Sequence, residues 1–543
     1  MPPDLPLTNA PAPAALAARW RKANGAPLLL TAAATLVALA MLLPLAYLLI
    51  RAAEVGFAGA GASLTSARTL QVVANSVILA VLVTGISFAI SLPLAWLTAR
   101  TDLPGRHIWS PLLALPLVIP TYVGAYALVS MMGPRGIVQG WLEPLGVQRL
   151  PSIYGLPGAV WALTILSYPY VYLSIRAGFF NLDPAQEEAA RSLGYGPWRT
   201  FWRVTLPNLR PAIVAGSLLL ALYVLSDFGA VSLLRFNSFT RVIYVQYQSS
   251  FDRSQAAVLS LVLVALTLLL LVLARFVQGR HRYHRAGTGV ARRQKPLALG
   301  RWRIPALLFC TAVLVACLAM PVGVVVYWFL RGIGSGEAFQ PVWSFAANSV
   351  YVSALAAAVC ILFALPVSYF QVRFPSPYSA WIGRAAYLGY ALPGIVVALA
   401  LVFFGANYAP LLYQTIAMLV FGYTVRFLPQ SLGTLRTGLL QISPRLEEAS
   451  RSLGHSKRWT FWRVTLPLLR TGIWAGAALV FLTTMKELPV TLLLAPTGFT
   501  TLAVSIWSAT SEAFYARAAA PALLLVAVSA LSSFVVLRQE ESR

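Results

Sequence analysis

The sequence predicts an all-α polytopic membrane protein of about twelve transmembrane helices, arranged as two parallel six-helix repeats. Three observations predict it. Of 543 residues, 59% are hydrophobic and only 10% charged, whereas a soluble domain carries about 25% charged residues. Apolar stretches of roughly 20 residues or more, each able to cross a hydrocarbon core about 30 Å thick, recur from Pro27 to Leu537. The second half of the sequence also repeats the first. Secreted, disordered and ordinary cytosolic enzyme classes are excluded.

Residues 1–26 are rich in Pro and Ala and place Arg19, Arg21 and Lys22 ahead of the first span. The apolar run that follows is too long for a cleaved signal peptide, and a second span comes after it. The segment is therefore expected to be retained as a cytoplasmic N-terminal segment. Spans are expected over 27–50, 70–97, 109–131, 157–180, 210–234 and 255–278 in a first half covering 27–279. A basic cytoplasmic linker, 280–303, joins it to a second half, 304–543. There the spans are 304–330, 346–370, 384–406, 409–430, 470–494 and 515–537, with Arg426 and Gln430 interrupting the end of the fourth.

The charge, 41 Lys+Arg against 16 Asp+Glu, is +25. An even number of spans puts both termini on one side, and one orientation gives that side 31 of the 41 basic residues. Basic residues stay in cytoplasmic loops, so both termini are expected in the cytoplasm. The charge then needs no nucleic acid to explain it, and no soluble domain remains to bind one. Cys310, Cys317 and Cys360 lie in apolar stretches without disulfide or metal spacing and are expected to be buried thiols.

The repeat is explicit. Ala74-Asn75-Ser76-Val77 recurs 273 positions later as Ala347-Asn348-Ser349-Val350. Leu92-Pro93 matches Leu365-Pro366, Arg100 matches Arg373, and Pro120 matches Pro393. A longer outer loop around Gly133–Gly155 then changes the offset to 260. Six helices repeated in six helices keep one orientation, so the repeat is parallel, about an axis along the membrane normal, and a central site belongs between the halves.

The closest match joins two loops expected in the cytoplasm. One reads Glu187-Glu188-Ala189-Ala190-Arg191-Ser192-Leu193-Gly194, then Thr200-Phe201-Trp202-Arg203-Val204-Thr205-Leu206-Pro207. The other reads Glu447-Glu448-Ala449-Ser450-Arg451-Ser452-Leu453-Gly454, then Thr460-Phe461-Trp462-Arg463-Val464-Thr465-Leu466-Pro467. Over positions 187–210, 17 of 24 residues equal their partners 260 further on. Asp183-Pro184 and Ser443-Pro444 supply N-cap and first-turn signals, the Gly ends a short helix, and a second short helix runs to Leu-Pro. One such loop reads equally well as a solvated amphipathic helix. Two copies point to two docking sites in a partner's groove.

At these residues the chain resembles the permease subunits of binding-protein-dependent ABC importers. Their signature of Glu-Ala-Ala, three residues, Gly, nine residues, an aliphatic residue, any residue and Leu-Pro falls on Glu188, Ala189, Ala190, Gly194, Val204, Leu206 and Pro207. In the second half it falls on Glu448, Ala449, Gly454, Val464, Leu466 and Pro467, with Ser450 in place of Ala. The resemblance implies that both loops, from Glu187 and Glu447 onward, couple to two ABC ATPase subunits on the cytoplasmic side. It implies a bacterial inner (plasma) membrane location and a periplasmic substrate-binding protein as a further partner. The sequence holds no Gly-x-x-x-x-Gly-Lys-Ser/Thr phosphate loop. The chain is thus expected to be no enzyme and to bind no cofactor itself, ATP and Mg belonging to the partner subunits.

Of seven acidic residues outside the expected cytoplasmic segments, only Asp227 and Glu487 lie within long apolar spans, again 260 apart. An intramembrane carboxylate costs roughly 2.5–3.5 kcal/mol toward insertion and normally faces a cavity or a partner. Two at matched positions suggest a cation path, to which Tyr223, one turn before Asp227, adds a phenol oxygen for a hard cation. The competing reading is local pairing, with Lys486 beside Glu487 and with Gly229 and Pro489 as helix ends. Leu225-Ser226-Asp227-Phe228-Gly229-Ala230-Val231, Lys486-Glu487-Leu488-Pro489-Val490-Thr491-Leu492, Pro496-Thr497-Gly498-Phe499 and Ile506-Trp507-Ser508-Ala509-Thr510 resemble ferric-iron importer permeases of the Fbp type with two fused halves. That resemblance implies Fe(III) as the transported substrate, moved by alternating access. Thiamine or another small cation, and a proton-coupled secondary transporter using the same carboxylates, stand as alternatives.

Overall fold

The computed structural model describes residues 26–134, 136–249, 254–278, 296–336 and 342–541. Most of the expected N-terminal segment, most of the basic linker (Arg280, Arg282, Arg285, Arg292, Arg293 and Lys295 included), Asp252 and Glu337 lie outside the described residues. Among the described residues every regular element is helical, apart from one bridge between Thr101 and Leu297.

In the first repeat the principal helices are α1 (Leu28–Ala53), α2 (Ala67–Arg100), α3 (Thr121–Met132), α4 (Leu156–Asn181), α5 (Pro184–Ser192), α6 (Arg210–Ser226), α7 (Gly229–Leu233) and α8 (Ser254–Gln278). In the second they are α9 (Gly300–Gly334), α10 (Val342–Arg373), α11 (Gly394–Tyr408), α12 (Ile416–Gln441), α13 (Pro444–Ser452), α14 (Leu466–Met485), α15 (Pro489–Leu494), α16 (Leu502–Ser511) and α17 (Tyr515–Glu541). The order of elements repeats: α2 and α10 both carry an internal Pro (Pro93, Pro366) and both end at an Arg.

In α2 the sides of the helix are reversed relative to a water-soluble one. Leu70, Ile78, Val81 and Ile86 are exposed, while Ser76, Ser87, Ser91 and Thr98 are buried. In water this would waste apolar area; in lipid, where association depends on close packing and interhelical hydrogen bonds, it is the stable arrangement. Ser91, for example, donates to the carbonyl of Tyr168 in α4 at 3.0 Å. Cys310, Cys317 and Cys360 are buried.

Among the described residues seven helices are long and apolar enough to cross a membrane, or ten if each of three bent pairs is one span. Sequence expected twelve. The two that do not qualify are α12, where Arg426 and several polar residues dilute the apolar run, and α17, whose searched stretch ends at Ala530. The expected spans 109–131 and 384–406 are not continuous: the chain bends by 86° before α3 and by 105° before α11. Pro120 and Pro393 occupy those N-caps; proline lacks the N–H that would continue a helix and keeps the preceding residue out of helical geometry. Spans 210–234 and 470–494 are interrupted as well. Helix α6 stops at Ser226 and α14 at Met485, and the chain restarts at Gly229 and Pro489.

The described chain forms two compact units. The smaller contains 26–43, Ala354–Tyr390 and Phe427–Phe481; the larger is drawn from Pro44–Ser353, Ala391–Arg426 and 482–541. Within the larger, α6 meets α4 through small residues: a Cβ at Gly216 would lie 2.8 Å from that of Ser174. Within the smaller, the same contact recurs 260 residues on, where a Cβ at Gly476 would lie 2.5 Å from Thr434 Oγ1.

Candidate functional site

The first of the two matching loops begins with α5. Asp183 accepts a hydrogen bond from the Ala185 amide at 3.0 Å, and Pro184 opens the first turn. The helix ends where Gly194 takes φ +83°, a left-handed conformation that glycine adopts without Cβ strain. A second short helix starts at Pro197 and passes through a wider π turn, Phe201–Thr205, into Leu206. The second segment has the same form, with Gly454 at φ +86°. Ser443 occupies its N-cap position but makes no side-chain capping bond, which corrects half of the N-cap expectation. Ser450, the departure from the signature, shares a 2.9 Å hydrogen bond with Thr460, so its extra hydroxyl is accommodated.

The paired glutamates divide in direction. Glu187 is buried, salt-bridged to Arg100 at the end of α2 and bonded by the Thr205 hydroxyl at 2.8 Å. Glu447 is held by Arg373 at 2.9 Å, by Thr465 at 3.1 Å and by Tyr369 at 3.3 Å. Glu188 and Glu448, one residue on, are exposed, as are Ala189, Gly194, Ala449, Gly454 and Pro467; Leu206, Leu466 and Pro207 are partly buried. Beside them Leu193, Trp198 and Trp202, and in the other segment Leu453, Trp459 and Trp462, are exposed. Each segment thus presents carboxylate, aliphatic and indole groups outward on a base clamped to its own helix. Sequence reading used Arg100 and Arg373 only as repeat landmarks; their matching offset was the signal that they also share a role.

Asp227 and Glu487 sit at the helix interruptions. Asp227 Oδ1 accepts from the amides of Ala230 at 3.0 Å and Val231 at 3.4 Å, and Oδ2 from the Thr121 hydroxyl. It therefore satisfies the orphan donors at the start of α7, as an N-terminal carboxylate does. Tyr223 is partly buried, lies within reach of Thr121 and packs its ring 5.2 Å from that of Tyr170. Glu487 Oε1 accepts from the Val490 amide at 3.3 Å and pairs with Arg426 of α12 at 2.5 Å. Lys486 does not pair with its neighbour: its ammonium donates to the Leu117 carbonyl at 3.3 Å. Gly394 makes room for the ion pair, since a Cβ there would lie 1.7 Å from Arg426 Nη1 and 2.7 Å from Glu487 Oε1. Sequence reading saw Arg426 as an interruption of a span and did not find Thr121. Among the described residues no three His, Cys, Asp or Glu side chains group as a metal site.

The sequence profile described as "Binding-protein-dependent transport system inner membrane component" matches residues 91–283 and again 361–541. The chain is 35% identical over 514 residues to the Fe(3+)-transport system permease protein FbpB 2 of Haemophilus influenzae, covering 94% of this chain and 98% of that one. The molybdenum transport system permease protein ModB of Escherichia coli is 33% identical over 229 residues, 39% of this chain and 96% of its own. The sulfate transport system permease protein CysW of Synechocystis is 31% identical over 216 residues, 39% of this chain and 77% of its own. These two relatives match only 39% of this chain, while the iron relative matches it nearly end to end. The chain therefore belongs to the binding-protein-dependent transport system inner membrane component family, as a permease of an ABC importer that carries two family copies, is not itself catalytic, and works with an ATPase and a binding protein.

Proposed function

We propose that this chain is the fused two-half permease of an importer that receives Fe(III) from a periplasmic binding protein and delivers it to the cytoplasm by alternating access. The observation that carries the substrate is the near end-to-end likeness to a permease named for Fe(3+) transport, against half-length likeness to sulfate and molybdenum permeases. In this reading twelve spans form two parallel six-helix halves, 27–279 and 304–543, joined by the linker 280–303, with both termini in the cytoplasm. ATP and Mg are handled by two ATPase subunits. These dock on the segments Glu187–Pro207 and Glu447–Pro467, and the exposed Glu188, Glu448 and flanking indoles support that assignment.

Closure of the ATPase dimer moves the two segments. The buried Arg100–Glu187 and Arg373–Glu447 pairs transmit that movement to α2 and α10. Within the membrane Asp227, Glu487 and Tyr223 line the cation path. A ligand shifts such an equilibrium only through its differential affinity for the two states, so the carboxylates meet the cation in one state and release it in the other. Membership of an ABC importer family leaves the proton-driven alternative without support. The test is reconstitution with the ATPase and the binding protein, comparing uptake of labelled Fe(III) and thiamine. ATP- and binding-protein-dependent Fe(III) uptake is expected; thiamine uptake without iron uptake overturns the substrate.

A further inference from the structure

We propose that Arg426 is an internal stand-in for the transported cation, its guanidinium neutralising Glu487 until a multivalent cation displaces it. The inference rests on the reading of Asp227 and Glu487 as the cation path and names the residue that controls entry to it.

Four observations carry it. First, the pair is direct and built for: Arg426 Nη1 lies 2.5 Å from Glu487 Oε1, in space that Gly394 leaves by having no side chain. Second, the helix does not need an arginine at this point. The position 260 residues earlier is Leu166 in α4, fully buried in apolar packing, and Gly394 corresponds at the other offset to Thr121, whose hydroxyl serves Asp227. The repeat thus builds the same framework without a cation in one half and with one in the other. Third, Arg426 pairs directly with Glu487 and also lies within electrostatic range of Asp227. Lys486, the charge adjacent to Glu487 in sequence, is committed to the Leu117 carbonyl. Fourth, the Tyr122 hydroxyl has no hydrogen-bond partner among the described residues although the residue is only 3% exposed, and it is an electrostatic neighbour of Glu487. A buried phenol without a partner is rare, and it supplies a further hard oxygen donor beside the carboxylate, the ligand type that hard cations select.

Displacing a guanidinium from a carboxylate in a low-dielectric setting takes a ligand of higher charge. The arrangement therefore discriminates in favour of multivalent cations over monovalent ones, and it keeps the carboxylate from holding a stray ion.

The test uses the purified full chain in zwitterionic lipid nanodiscs titrated with TbCl3, a trivalent hard cation read through tyrosine-sensitised luminescence. Arg426→Leu, the residue found at the equivalent position of the first repeat, is expected to bind Tb(III) at least tenfold more tightly than the unsubstituted chain. Adding Glu487→Gln to it should abolish the gain. Should the leucine variant fail to assemble on size exclusion, Arg426→Gln carries the same comparison, and in the unsubstituted chain the weak signal must itself fall with Glu487→Gln. Affinities within twofold for Arg426→Leu and the unsubstituted chain, or tight binding that survives Glu487→Gln, overturn the proposal. Failure of ATP-driven uptake would remove the importer reading and leave the Tb(III) comparison standing. Uptake with unchanged Tb(III) affinity removes the displacement alone.

Discussion

In each repeat two adjacent glutamates face opposite ways, and the direction sets what each can do. Glu187 and Glu447 are tied to an arginine at the end of a long helix and to the threonine of a π turn, whereas Glu188 and Glu448 are exposed. Removing one partner of a buried ion pair strands the other charge and costs about 3–5 kcal/mol. Arg100→Ala or Arg373→Ala is therefore expected to loosen a coupling segment, lowering transport per ATP hydrolysed, with Arg→Lys milder. The measurement is the ratio of uptake to ATPase activity alongside thermal unfolding; an unchanged ratio in both alanine variants would remove the anchoring role. Glu188→Lys with Glu448→Lys acts on the outward face instead. ATPase activity should separate from transport while membrane insertion and melting stay as they were, which uptake assays and scanning calorimetry would register.

At the scale of elements, close approach and interruption are both written in small residues and prolines. Gly216 and Gly476 let α6 and α14 sit against Ser174 and Thr434, and overpacking such a contact costs about 1–3 kcal/mol. Gly216→Leu and Gly476→Leu should each lower the free energy of unfolding in detergent by that amount, an effect that surface leucines on the same helices will not reproduce. Gly394→Ala places a methyl on the Arg426–Glu487 pair. Loss of uptake with retained assembly is the expected outcome, and normal uptake would show that the pair can move aside freely. The prolines at 120 and 393 were visible in the sequence as repeat landmarks. That they break the chain by 86° and 105° was not, because many prolines, Pro93 and Pro366 among them, stay inside continuous helices; neighbouring groups in a membrane helix can satisfy the freed carbonyl.

Across the whole molecule, residues some 200 positions apart close a clip beside the Glu187–Pro207 loop. Leu297 pairs with Thr101 and donates to the carbonyl of Arg100 at 2.8 Å. Asp102 accepts from the Leu299 amide at 2.8 Å and from Arg303 at 2.5 Å. The end of the inter-repeat linker is thus fastened to the residue that holds Glu187. The Arg303 guanidinium, and then the Leu299 amide, hold the Asp102 carboxyl below its ordinary range. A depressed carboxyl contributes stability that is present above its unfolded value, about 3.9, and is lost as pH falls through the folded value. The clip should therefore be intact at neutral pH and open only below about pH 4. Asp102→Asn should open it at neutral pH, seen as faster hydrogen exchange at the Leu299 amide; equal exchange in both forms would deny the clip.

Composition, span periodicity and the doubled loop determined by themselves that this is a helical, duplicated membrane protein with two matching loops, and the signature in those loops carried the resemblance to importer permeases. Those properties depend on burial in lipid and on local helix signals, which neighbouring residues carry. The tertiary structure decided which carboxylates have partners. Arg100, Arg373, Arg426 and Thr121 lie 61 to 106 positions from the groups they serve, and no local pattern links them. The choice of Arg426 over the adjacent Lys486 as partner of Glu487 follows from the helix interruption after Met485, which turns neighbouring side chains toward different elements. A charge inside a membrane is defined by what meets it in space.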